Sequence, residues 1–158
     1  VVWGTGFLID NNHLITAGHC VYDHDGRFHA KQVKVYIGYE GQNVVPESQV
    51  RYANHIALGG NFYSAHHKDN DLAIITLNRA FGDSTGTGMG FKYHIDIMRN
   101  MNIAGYPAKL PKSPKDMRGK IMYSALSSGE KRYQSEAMLT YKIPTSAGKF
   151  KGNYHNVE

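Results

Sequence analysis

Cysteine is almost absent: the 158-residue chain has one, Cys20. No disulfide can form within the chain, so the core and the backbone ladder must hold the fold without covalent staples. Compartment does not follow from this, because many secreted bacterial proteins also lack disulfides. Long apolar runs are missing as well, and none reaches the ~20 residues that a membrane-spanning helix needs. No signal-peptide pattern is visible. The chain opens directly into an apolar stretch, Val1 to Ile9, as expected if residues upstream were removed or not included. There is no long stretch with helical periodicity and no internal repeat, which argues against a helical bundle or a solenoid. Acidic residues are outnumbered 13 to 18, giving a net charge of +5. The basic excess gathers between Lys109 and Lys120 and at Lys149 and Lys151. Pro107, Pro111 and Pro114 interrupt it, and no nucleic-acid motif accompanies it. It reads as a solvated loop, so neither nucleic acid nor a membrane is expected as a partner.

What is present suits a β-rich domain. Apolar residues make up 41% and charged residues 20%, enough for a packed core and against disorder. Seventeen glycines and eleven tyrosines accompany short apolar runs between turns. Gly6 to Ile9 and His13 to Thr16 read as a hairpin around Asp10-Asn11-Asn12. Ala17 to Tyr22 reads as a tight helical turn, and Asp23-His24-Asp25-Gly26 as a turn. Gln32 to Tyr39 alternates as a half-buried strand does. Asp71 to Leu77 reads as a buried strand headed by acids. Glycine-rich Phe81 to Gly90 has no period and reads as a connection. Further strands are expected at Asn102 to Pro107, Arg118 to Tyr123 and Ala137 to Ile143. The pattern fits an all-β fold of two small antiparallel barrels side by side, the second incomplete. Residues 1–80 form the first, 81–101 connect, and 102–158 form the partial second.

Two segments carry chemistry. Leu14-Ile15-Thr16-Ala17-Gly18-His19-Cys20 places a histidine on a tight turn after a rigid strand, with small residues that allow close backbone packing. An imidazole held this way can take a proton from a hydroxyl. A lone histidine after a strand is more often structural. Asp69-Asn70-Asp71-Leu72-Ala73-Ile74-Ile75 places carboxylates at the head of a strand, where one can fix the tautomer of the imidazole. The bland alternative is a strand-capping acid. The histidine precedes the aspartate by about 50 residues, the order of chymotrypsin-type sites.

With these residues the sequence resembles the chymotrypsin-like (trypsin-like) serine proteases, and within them the V8-like glutamyl endopeptidase branch. Gly4 to Ile9 with Leu14 to Asp23 looks like the histidine region of that branch. Asn70 to Ile75 looks like its aspartate strand. Ile103-Ala104-Gly105-Tyr106-Pro107 looks like the strand opening its second barrel, and Tyr141 to Gly148 like the approach to its nucleophile. The resemblance implies a serine endopeptidase acting on peptide or protein substrates, without a cofactor or a metal, secreted, and working as a monomer. It makes His19 the general base and Asp71 its orienting carboxylate, with Asp69 a weaker candidate. Gly148 corresponds to an oxyanion-hole glycine, and Thr145 to a pocket threonine that would touch a substrate carboxylate.

The resemblance fails at the nucleophile. The family reads Gly-x-Ser-Gly where this chain reads Gly148-Lys149-Phe150-Lys151-Gly152. Phe150 stands at the nucleophile position, and a phenyl ring cannot attack a carbonyl. Ser84, in Gly82-Asp83-Ser84-Thr85-Gly86, lies too early, before any second barrel that would build the oxyanion hole. Ser146 is displaced by several residues, and even ~1 Å of misplacement costs about a hundredfold. Gly152 to Glu158 is short and polar where further strands are expected. A truncation or frame change near Gly148 would account for both departures, and a Ser-Gly codon pair in another frame or exon of the parent transcript is expected if so. The chain is therefore expected to be inactive. The alternative is a non-catalytic pseudoprotease that binds peptide.

Cys20 follows the histidine, where many relatives have a half-cystine. Gly4 stands about where its partner would be, which makes Cys20 a free, buried thiol aimed away from His19. A metal site is a rival reading for His66-His67-Lys68-Asp69-Asn70-Asp71 with His24 and His29, but zinc needs three or four converging ligands. Adjacent loop histidines rarely converge. Asp23-His24-Asp25-Gly26 lacks the oxygen ligands of a calcium loop.

Overall fold

The computed structural model describes residues 2–82, 89, 101–107, 119–127, 131–133 and 139–141. Strands β1 (Gly6–Leu8) and β2 (His13–Thr16) form the expected hairpin, in register from Gly6 opposite Thr16 to Leu8 opposite Leu14. Asp10 closes the turn: its Oδ1 accepts the backbone N–H groups of Asn12 and His13, both at 2.7 Å. A short aspartate side chain that replaces backbone acceptors in this way is what a turn selects for.

After a 3₁₀ turn at Gly18–Cys20 come two short strands, β3 (Tyr22–Asp23) and β4 (Phe28–His29), which pair with each other. Strands β5 (Lys34–Tyr36) and β6 (Val50–Leu58), the short helix α1 (Gly60–Ala65) and strand β7 (Ala73–Leu77) complete the first half. One antiparallel sheet runs β1-β2-β7-β6-β5. The long β6 serves two neighbours. Val50 to Tyr52 pair with β5, and Ala53 to Leu58 pair with β7. A register shift between Ala53 and His55 separates the two stretches. An extra residue of this kind bends a strand and raises its twist, and the sheet curls here into a half-barrel.

The core lies inside the curl. Leu14, Val21, Ala73, Ile75, Leu77 and Phe81 are all buried there. Strand β7 is not buried on both faces, as its apolar sequence suggests: Ala73, Ile75 and Leu77 are sealed, while Ile74 is 37% exposed. An antiparallel sheet packed on one side leaves alternate side chains facing water. Arg51 is buried, and among the described residues no carboxylate forms an ion pair with it. Its Nε and Nη2 donate to the carbonyl of Ala80 at 3.1 and 2.9 Å, and Nη1 donates to that of Val50 at 2.7 Å. Its guanidinium lies 4.2 Å above the ring of Phe81. Backbone oxygens thus satisfy the buried cation, and the side chain seals the barrel over Phe81.

Several elements differ from the sequence reading. The alternating stretch 32–39 yields only β5, while β6 and α1 were not expected. In the second half, β8 (Met101–Gly105) pairs with β9 (Tyr123–Ser127), and β10 (Lys131–Tyr133) pairs with β11 (Leu139–Tyr141). The strand expected at 118–123 begins only at Tyr123. Gly119, with a φ of +70°, turns the chain just before it. Ile103 is buried, and the backbone N–H of Tyr106 donates to Thr5 Oγ1 at 2.9 Å, joining the second half to the first. No helix among the described residues is long and apolar enough to cross a membrane.

Candidate active site

The site follows from the pairing of β2 with β7. Thr16 lies opposite Ala73. In an antiparallel pair the exit of one strand sits beside the entry of the other. Residues just after β2 and just before β7 therefore meet, although 52 positions separate them in sequence. Ala17 is extended, with φ −70° and ψ 141°, and the chain then tightens through Gly18, His19 and Cys20. The N–H of Cys20 closes on the carbonyl of Ala17 at 3.0 Å, and that of Val21 on Gly18 at 3.0 Å. Asp71 arrives from a second 3₁₀ turn, Lys68–Asn70. The N–H of Gly59 donates to the carbonyl of Leu72 at 3.0 Å and pins that arrival.

The carboxylate of Asp71 grips His19 twice. Oδ1 accepts the backbone N–H of His19 at 2.8 Å, and Oδ2 meets ring Nδ1 at 2.6 Å. A carboxylate oxygen accepts, so Nδ1 carries the proton and Nε2 is left as the reactive nitrogen. The Asp71 side chain is 15% exposed and that of His19 is 60% exposed. The rigid partner is thus sheltered, and the working ring faces solvent. The hydrogen bond to Asp71 raises the pKa of His19 to about 10, with the neighbouring Cys20 thiol adding to the rise and partial burial opposing it.

Cys20 is half-buried rather than fully buried. A Cβ placed on Gly4 would lie 2.7 Å from Cys20 Sγ and 3.5 Å from its Cβ. Gly4 therefore sits where a disulfide partner would sit. The thiol faces Gly4, yet it stays near enough to the ring of His19 to influence its charge.

Asp69 lies in the turn before Asp71, and the two bonds to His19 come from Asp71. The rings of His24 and His66 stack in parallel, 4.0 Å apart and 12° from coplanar. Among the described residues, no group of three or more His, Cys, Asp or Glu is arranged to hold a metal ion. Ser84, Thr145, Ser146, Gly148 and Phe150 lie outside the described residues. Phe62, which the sequence reading passed over, is 1% exposed and packs behind the turn that bears His19. Its one signal in the sequence is the aromatic pair Phe62-Tyr63 in the short run after Gly60.

A curled antiparallel half-barrel with a histidine and an aspartate joined where two of its strands meet defines a chain of the trypsin-like class. The family model described as Trypsin matches residues 2–153, and the chain belongs to the trypsin family of serine proteases. A collagenase from Hypoderma lineatum is 38% identical over 80 residues, which is 48% of this chain and 26% of that protein. Among solved structures, a Glu endopeptidase aligns with a TM-score of 0.76 at 22% identity, over 93% of this chain and 65% of that one. A thermostable serine protease from an extremophilic microorganism aligns with a TM-score of 0.72 at 16% identity, over 94% of this chain and 66% of its own. The chain thus spans about a quarter of the collagenase and less than two thirds of these solved chains. At such identities the structural likeness speaks to the fold.

Proposed function

We propose that this chain carries the base and the orienting carboxylate of a serine endopeptidase site, His19 and Asp71, and that it performs little or no turnover itself. The observation that supports the first part is the double grip of Asp71 on the backbone and ring of His19. In a competent site, Nε2 of His19 takes the proton of a serine hydroxyl as the oxygen attacks the substrate carbonyl. The same proton then passes to the leaving amine, and the acyl-enzyme is hydrolysed by water. Asp71 holds the ring and stabilises its positive charge.

The second part rests on position 150, where Phe150 corresponds to the nucleophile of the family and offers no oxygen. On this reading the backbone at Gly148 and Phe150 faces the oxyanion, and Thr145 lies in the pocket wall. Resemblance to the V8-like branch, Thr145 and the basic net charge support substrates with an acidic residue at the cleavage site. Residues 1–80 and 102–158 act as the two barrels, with 81–101 between them. Secretion and a monomeric state follow from the same resemblance.

The test is a serine-directed fluorophosphonate applied to purified chain, with labelled residues mapped by mass spectrometry. No labelling is expected. Labelling at Ser146 or Ser84 that disappears in a His19→Ala variant would mean an active site rebuilt around another serine. Saturable binding of an acidic peptide without cleavage would favour the peptide-binding pseudoprotease.

A further inference from the structure

We propose that Gly18 and Phe62 form a positioning pair that sets the bond between His19 and Asp71. The inference rests on the reading of those two residues as base and orienting carboxylate. It concerns what holds them at bonding distance.

The helix α1 lies between β6 and the turn that delivers Asp71, and its inward residue is Phe62. The ring of Phe62 lies against Gly18, the residue before His19. A Cβ built on Gly18 would fall 2.7 and 2.8 Å from two ring carbons of Phe62, and 3.1 Å from Asp71 Oδ1. Real Cβ contacts do not come as close as 2.7 or 2.8 Å, so any side chain at position 18 must move either the ring of Phe62 or the backbone that carries the new Cβ.

The ring is not free to give way. It is 1% exposed. The imidazole of His24 meets it at 4.7 Å and 89°, and that of His66 at 5.7 Å and 80°. The two imidazoles stack on each other. His66 is itself the left-handed cap that ends α1, with φ 54°. Two imidazoles, His24 from the turn after β3 and His66 from the end of α1, therefore hold Phe62 on Gly18. With the ring fixed, the backbone at position 18 must move instead, and with it the N–H of the adjoining His19 that Asp71 Oδ1 accepts. Gly18 is thus required for close approach and not for backbone freedom, since Gly18 is not among the residues with positive φ.

This makes Gly18 and Phe62 positioning residues: neither touches a reacting atom, and both act through the bond between His19 and Asp71. A packing role alone predicts loss of stability. A positioning role also predicts a change in the hydrogen bond and titration of His19, and its recovery when the opposing side chain is shortened.

The experiment uses the full chain labelled with ¹⁵N, observed by NMR. Two quantities are read: the far-downfield ring proton on Nδ1 of His19, and the pH at which the ring titrates. The native chain should show the proton and an alkaline midpoint. Gly18→Ala should lose the proton and move the midpoint toward ordinary histidine values. Gly18→Ala with Phe62→Leu should regain both, because the shorter side chain vacates the space that the new methyl needs. If Gly18→Ala does not fold, the double variant must fold and show the proton. A Gly18→Ala chain with an unchanged proton and midpoint would overturn the proposal, as would a double variant that folds without the proton or does not fold. Absence of the proton from the native chain is a separate outcome, and it would overturn the reading of the site itself.

Discussion

The two halves of the chain are held together differently. In the first, one continuous ladder joins five strands, and β6 belongs to two neighbours at once. In the second, the described strands form two separate pairs, β8 with β9 and β10 with β11. The difference bears on how a site of this kind is assembled. The bond between His19 and Asp71 needs only the register of β2 against β7, which lies inside the first half. Thr145, Gly148 and Phe150 belong to the far end of the chain. A polar seam, Tyr106 on Thr5 and Thr5 on Thr16, ties the second half on. The first half can therefore keep its charged pair whatever stands at the nucleophile position.

The sharpest way to break this comparison is to empty equivalent core positions in the two halves. Ile75 and Ile103 are each 1% exposed. Ile75 sits in the main cluster among Leu14, Ala73 and Phe81. Ile75→Ala should cost about 4 kcal/mol, and Ile103→Ala about 2 kcal/mol, both within the usual span for such truncations. Urea unfolding followed by fluorescence measures both. Equal costs with one shared transition would mean that the halves stand or fall as a unit.

The next effect tests how firmly the entry of the chain is fixed in the first half. Gly4→Cys places a second thiol opposite Cys20, where a Cβ separation of 3.5 Å suits a disulfide. Oxidation should close a loop of roughly 15 residues and stabilise the fold by about 3 kcal/mol. Thiol titration should find no free cysteine, and the thermal midpoint should rise. A variant that keeps both thiols free would mean that residues near Gly4 are not held against the turn at Cys20.

The class of fold was legible in the short strand signals and turns, and two chemistry-bearing segments stood out beside them. His19 and Asp71 each adjoin a strong strand signal, Leu14 to Thr16 and Ala73 to Leu77, so their roles could be proposed from composition and order. Which strands pair was not legible, because β2 and β7 are distant in sequence and no local feature ties them. β6 escaped for a physical reason: its bulge near Ala53 breaks the two-residue alternation, and Arg51, Asn54 and His55 dilute its apolar character. Arg51 looks like a surface residue until the carbonyls of Val50 and Ala80 are seen around it. The stretch from Gln32 alternates as far as Tyr39, but Gly38 at φ +60° ends any ladder there. The contact of Phe62 with Gly18 depends on tertiary placement, which no spacing in the sequence encodes.

A smaller effect separates charge from packing at the site. Asp71→Asn keeps the shape of the side chain and removes its charge. It should cost about 1–2 kcal/mol near pH 6, since bonds to charged groups are the stronger ones but His19 is largely open to solvent. The pKa of His19 should fall from about 10 toward 6.5. The sign is fixed by linkage. A histidine whose folded pKa is raised contributes its full stability below about pH 6.5, and loses it as pH climbs toward 10. The gap between native chain and variant should therefore narrow on the alkaline side. A gap that stays constant from pH 6 to 10 would mean that Asp71 acts through packing and not through charge.

The smallest expected effect concerns Glu47, where two arginines converge. Arg51 Nη1 donates to its carbonyl at 3.3 Å from inside the barrel, and Arg79 Nη2 donates to the same carbonyl at 3.1 Å from outside. Arg79 also meets the Glu47 carboxylate at 3.0 Å, with side chains 48% and 88% exposed. Water and salt screen such a pair, so Arg79→Ala should cost less than about 1 kcal/mol, and 1 M salt should erase most of that. If instead the cost exceeds that of Asp71→Asn and survives high salt, the carbonyl bond from Arg79 is anchoring the turn before β6. The integrity of the first half would then rest on its surface as well as on its core.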